Sequence, residues 1–122
     1  MAVTTTTASG PLITTIITDT DSDITVETAA GAAQYLYFVE ITNPNSSVVY
    51  TKFITAASGS SATTQHYIQL YCPASTTCYF YIPKSVALAT GLQFYSSTLP
   101  GAVNSQISPT SDVTVKIGIT AQ

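Results

Sequence analysis

Apolar and polar positions alternate over short stretches of this chain, and turn residues interrupt them every ten or so positions. Strict alternation is clearest at Val113, Val115, Ile117 and Ile119 against Thr114, Lys116, Gly118 and Thr120. Ile24 and Val26 alternate in the same way with Thr25 and Glu27. A period of two buries one face of a strand and wets the other. No stretch carries an apolar period of 3.6, so the pattern predicts strands almost throughout. They are expected at residues 12–18, 24–28, 35–42, 48–55, 66–72, 78–82, 92–96 and 113–120. About eight short strands with regular turn signals predict an all-β, antiparallel two-sheet sandwich of jelly-roll type. Residues 1–11 lack any periodic pattern and read as a polar, flexible N-terminal arm, leaving 12–122 as a single domain. Asn43-Pro44-Asn45-Ser46 reads as a turn, because proline fixes φ and asparagine bonds its own backbone.

Two stretches depart from simple alternation. Tyr35-Leu36-Tyr37-Phe38-Val39 is apolar at every position, which predicts cover on both faces, with Leu36 and Phe38 candidates for contact with another subunit. Residues 66–72 and 78–82 can be set as an antiparallel hairpin around Pro73-Ala74-Ser75-Thr76-Thr77. Cys72 then faces Cys78, with Leu70 opposite Phe80 and Ile68 opposite Ile82 on one side. Tyr67, Tyr71, Tyr79 and Tyr81 fall on the other side and form a candidate interaction surface, since tyrosine covers area at low entropic cost. Cys72 and Cys78 are either a cross-strand disulfide or two reduced, buried cysteines acting as small hydrophobes. The protein itself filling the tyrosine side is the competing explanation for that face.

Composition narrows the partners. Only 7% of the 122 residues are charged while 45% are hydrophobic, and Ser and Thr supply roughly 30%. Such a surface is kept wet by hydroxyls, which are easier to desolvate than ions and therefore suit assembly. The net charge is −3, and Lys52, Lys84 and Lys116 are the only strong cations, with no arginine. That excludes the clustered basic residues on which nucleic-acid binding and attraction to anionic lipid depend. No signal-peptide pattern or membrane-length apolar run is present, which predicts synthesis in the cytoplasm without a leader.

No chemistry-bearing constellation emerges. His66 is the only histidine, and no nucleophile-elbow sequence accompanies it, so no catalytic residue is assigned. Asp19, Asp21 and Asp23 have the spacing of an EF-hand opening, yet Ile24 stands where that loop needs glycine and Ala30 where it needs a bidentate glutamate. These aspartates read as a hairpin turn between Thr18 and Ile24, and no metal or other cofactor is expected. A carbohydrate-binding module is the alternative from another class; tyrosines would have to stack the sugars, as the chain has no tryptophan.

Three stretches carry a resemblance: YLYFVEITNPNSSVVYTKF at 35–53, ATGLQFYSST at 89–98 and SDVTVKIGIT at 111–120. Together they resemble small virion proteins of tailed bacteriophages and cyanophages. The Tyr- and Cys-containing stretch around residues 66–82 lies outside the resemblance. It implies a non-enzymatic structural component of the particle with a jelly-roll-like fold, foremost a capsid cement or decoration protein on the outer shell. Its implied partners are the major capsid protein and copies of itself, as a homo-oligomer and foremost a trimer. A head–tail connector, neck or tail-fibre component is the other role implied within the same class.

Overall fold

The computed structural model describes residues 3–7, 15–102 and 105–122. These form nine strands and, among the described residues, no helix. The strands are β1 (Val3–Thr7), β2 (Thr15–Ser22), β3 (Glu27–Ala30), β4 (Gln34–Asn43), β5 (Val49–Ile54), β6 (Ile68–Cys72), β7 (Thr76–Leu88), β8 (Leu92–Ser97) and β9 (Val113–Ala121).

All pairings are antiparallel. The first sheet runs β1-β2-β9-β4-β7 and the second β3-β8-β5-β6. Among these ladders, β2 pairs with β9, β3 with β8, β4 with β7 and β5 with β6. That is the connectivity of a long ribbon, β2 to β5 running against β6 to β9, rolled so that successive rungs fall alternately in the two sheets. It is a jelly roll, with β1 added to one edge.

The core lies where the inner faces meet. Val113, Val115, Ile117 and Ile119 of β9 are all buried, as their alternation predicts, and join Ile17, Leu36, Val39, Ile41, Val49, Phe53, Leu88, Leu92 and Phe94. Three hydroxyls that fall on this face are paired across it. Ser22 of the first sheet and Thr51 of the second both bond Ser96, with oxygens 2.7 and 3.0 Å apart. Three hydroxyls satisfying one another cost little inside a β-sandwich.

The turn at Asn43 does more than reverse the chain. Asn43 Oδ1 accepts from Asn45 N at 3.0 Å, and Asn43 Nδ2 donates to Ser47 O, Cys72 O and Pro73 O at 2.9, 3.1 and 3.1 Å. Asn45 exchanges bonds with Ser111 in both directions, at 3.0 and 2.7 Å. Two buried asparagines therefore tie three loops together at one end of the sandwich.

Several expectations are corrected. Part of the anticipated arm, Val3–Thr7, is an edge strand paired with β2, while residues 1, 2 and 8–14 lie outside the described residues. The aspartates do not form a hairpin turn. β2 continues through a bulge between Asp19 and Ser22, and the chain then crosses to the opposite sheet. The expected strand at 24–28 begins only at Glu27, because Asp23 Oδ1 accepts from Thr25 N at 2.7 Å and holds a bend there. Glu27, opposite Phe94, takes the inward position that alternation had given to Ile24 and Val26.

The 66–82 hairpin is also replaced. β6 belongs to the second sheet, where Cys72 pairs with Val49; β7 belongs to the first, where Cys78 pairs with Ile41. Residues 73–75 cross between the sheets, aided by a left-handed Ser75 at φ 52°.

Candidate interaction surface

The sidedness of β6 and β7 follows the sequence pattern although their pairing does not. Ile68, Leu70, Cys78, Phe80 and Ile82 pack against the core, and Cys72 is within it. Tyr67, Tyr71, Tyr79 and Tyr81 are the most exposed of the tyrosines, at 61, 57, 56 and 69%. Because the two strands sit in different sheets, these tyrosines do not share a face. Tyr71 stands on the outer side of the second sheet, its ring 6.4 Å from that of Tyr50. Tyr79 and Tyr81 stand on the outer side of the first sheet, their rings 6.4 Å apart and nearly parallel.

The first sheet presents the better-organised surface. Reading across its outer face from β7, one row contains Tyr81, Phe38, Gly118 and Ile16. The rings of Phe38 and Tyr81 stack at 5.4 Å, and Gly118, buried, leaves the space between Phe38 and Ile16 free of a side chain. The next row contains Tyr79, Glu40, Lys116 and Thr18, with Lys116 Nζ 3.7 Å from Glu40 Oε2. Beyond it lie Thr77, Thr42 and Thr114. An aromatic stripe, one balanced ion pair and a threonine border thus follow one another over three rungs.

β4 supplies Phe38 to this stripe through an irregularity. Against β9 its register shifts by one between Leu36 and Phe38, so Tyr37 is the extra residue of a bulge there; against β7 the extra residues belong to β7, between Tyr81 and Val86. This explains the continuous apolar run at 35–39. Leu36 and Val39 both point into the core, Phe38 points outward, and Tyr35 is 36% exposed. Leu36, expected as a contact residue, is wholly buried between Val86 and Ile119 and is not available to a partner. Ile16 has no local signal in the sequence; its place beside Gly118 depends on a non-local pairing that alternation does not reveal.

The outer face of the second sheet is partly closed by the chain itself. Lys52, fully buried, donates from Nζ to Leu99 O, Gly101 O and Gln106 Oε1 at 2.7, 2.6 and 2.9 Å. It also lies 5.4 Å over the Tyr95 ring. Burial lowers its ammonium pKa below the ordinary lysine value. The His66 imidazole is likewise held below its usual range, by burial first and then by the charge of Lys52. Its Nδ1 and the Tyr95 hydroxyl are buried without a hydrogen-bond partner.

Asp21, Asp23, Thr25 and Glu27 line a cavity of about 180 Å3 on the β2–β3 flank. Behind it Asp19 is fully buried; its Oδ1 accepts from Asp21 N at 3.1 Å and its Oδ2 has no hydrogen-bond partner. Burial, together with the carboxyl of Asp21 and the charge of Glu27, pushes the Asp19 pKa up to about 7. Glu27 is raised as well, by burial and by Asp21 and Asp23. Among the described residues no group of three or more His, Cys, Asp or Glu side chains is placed to hold a metal ion. No helix among them is long and apolar enough to cross a membrane.

In comparison with known proteins, no family model, no curated protein and no solved structure matches the chain.

Proposed function

We propose that this chain is a non-enzymatic structural protein that docks on other protein through the outer face of its five-stranded sheet. The observation that carries the reading is the Tyr81–Phe38–Ile16 stripe, with its adjoining Tyr79 and Glu40–Lys116 row. Exposed aromatics that already stack on one another lose little rotamer freedom on binding. Among the described residues the charges in these rows are a matched pair, Glu40 and Lys116, so covering the rows strands no lone ion. A rigid β-sandwich with a sparsely charged, hydroxyl-rich surface suits a component built for packing.

The partner is proposed from the three resembling stretches: the shell of a tailed bacteriophage, with this chain as a cement or decoration protein on the major capsid protein, assembled as a homo-oligomer. A connector, neck or tail-fibre position is the alternative in the same class. Quantitative mass spectrometry of purified particles of the virus encoding the chain distinguishes them. Hundreds of copies per particle support cement, about a dozen or fewer support neck or tail, and absence from the particle overturns the virion reading.

One observation favours a second reading. Tyr79 and Tyr81 expose nearly parallel rings beside Glu40 and Thr77, groups able to take sugar hydroxyls. Binding on a glycan array that is lost in Tyr81→Ala would support a carbohydrate-binding module instead.

A further inference from the structure

Cys72 and Cys78 are the only cysteines in the chain, and both are free. They lie in opposite sheets, yet their side chains enter the same core. The Cys72 Sγ–H group lies 3.2 Å from Thr76 O and 3.5 Å from Ile41 O. Ile41 is the residue that pairs with Cys78 across β4 and β7. The thiol of the second sheet is thus seated against the rung of the first sheet that carries Cys78.

Their surroundings differ. Cys72 is fully buried, whereas Cys78 is half-buried, on a strand paired on one side only. The Cys72 pKa is pushed up to about 12, by burial first and then by hydrogen bonding with the Cys78 thiol. At neutral pH Cys72 is therefore almost never a thiolate, which is the form that attacks.

We propose that Cys78 is a site of S-thiolation by low-molecular-weight disulfides and that Cys72 resolves the adduct into a disulfide joining the two sheets. In the first step the Cys78 thiolate attacks one sulfur of a disulfide RSSR. The reagent's S–S bond breaks, and one RS⁻ departs and takes up the proton that Cys78 released. In the second, the Cys72 sulfur attacks Cys78 Sγ, breaking the Cys78–SR bond. The second RS⁻ leaves with the proton from Cys72. Two protein thiols are oxidised and one RSSR is reduced to two RSH. The bridge would close the crossover at 73–75 and tie the sheets covalently, after the chain has left a reducing cytoplasm. This site is separate from the aromatic stripe and does not depend on the docking reading.

The test is to incubate the folded, full-length chain with oxidised glutathione, quench with acid, and follow intact mass and peptide maps. The expected course is a glutathione adduct confined to Cys78, then loss of two hydrogens relative to the reduced chain and a linked Cys72–Cys78 peptide. The second step should accelerate from pH 7 to pH 9, as the Cys72 thiolate fraction grows. The bridged chain should melt about 5–10 °C higher than the reduced one. Cys72→Ser should trap the adduct on Cys78, with circular dichroism confirming that this variant is folded. An adduct first on Cys72, disulfide-linked dimers, an adduct that never resolves in the wild-type chain, or no reaction would each overturn the proposal.

Discussion

Replacing Asp19 by asparagine should flatten much of the pH dependence of stability. Asp19 lies on the inner face of β2 with no exposed surface, one oxygen bonded to Asp21 N and the other unpartnered. Its carboxyl holds a proton up to about pH 7 when folded, against an ordinary value of 3.8. Between those two values the folded chain binds more protons than the unfolded one. Stability contributed by this group is therefore complete below about pH 4, falls as pH rises through 7, and stays level above it. At about 1.36 kcal/mol per pKa unit the full loss is about 4 kcal/mol. Because part of the shift comes from interaction with the neighbouring Asp21 carboxyl, the expected loss is about 2–4 kcal/mol. The substituted amide stays neutral at every pH and can donate toward Asp21. Urea unfolding of both proteins from pH 4 to pH 8 gives the comparison, since taking their difference cancels groups outside the cluster, His66 included. Asp19→Asn should match the wild type near pH 4 within about 1 kcal/mol and exceed it by about 2–4 kcal/mol at pH 8. A difference independent of pH, or a variant less stable at pH 8, would refute the reasoning.

Three further substitutions probe the frame. Asn45→Ala removes the reciprocal bonds to Ser111 and the donor to Asn43, and should cost about 2–4 kcal/mol in urea unfolding. Gly91 has φ +146°, and a Cβ there would stand 2.8 Å from both Ala30 O and Ala56 O; Gly91→Ala should therefore cost about 3 kcal/mol or more, read as a fall in the urea midpoint. Lys52→Met deprives Leu99 O, Gly101 O and Gln106 Oε1 of their shared donor, so limited proteolysis should cut the segment at 99–106 faster; an unchanged cleavage rate would show that the lysine does not hold it.

Strand positions and sidedness were legible because they depend on a period of two within each strand. Val113 to Ile119, the inward Ile68, Leu70, Phe80 and Ile82, and the outward tyrosines all follow from it. Strand partners were not, because antiparallel neighbours in a jelly roll are distant in sequence. A hairpin between β6 and β7 and a cross-sheet packing of the same strands give the same inward and outward residues, so the pattern could not separate them. The bulge of Tyr37 against β9 and the one between Asp19 and Ser22 were hidden for a related reason: each inserts a residue and changes the parity. The bulge in β4 is what turns Leu36 inward, away from the contact surface expected of it, while Ile16 joins that surface only through its pairing with Gly118. Lys52 looked like an ordinary surface cation, since its acceptors come from a loop almost fifty residues later in the chain.

Co-sedimentation with phage capsid shells, the proposed partner, tests the docking claim most directly, comparing the wild-type chain with Tyr79→Ser/Tyr81→Ser on shells that lack this chain. Both tyrosines are more than half exposed, so the double variant should keep the wild-type circular dichroism and melting behaviour. Wild-type protein should pellet with the shells and saturate them, while the folded double variant stays in the supernatant. Equal binding by the two proteins would contradict the assignment of this face.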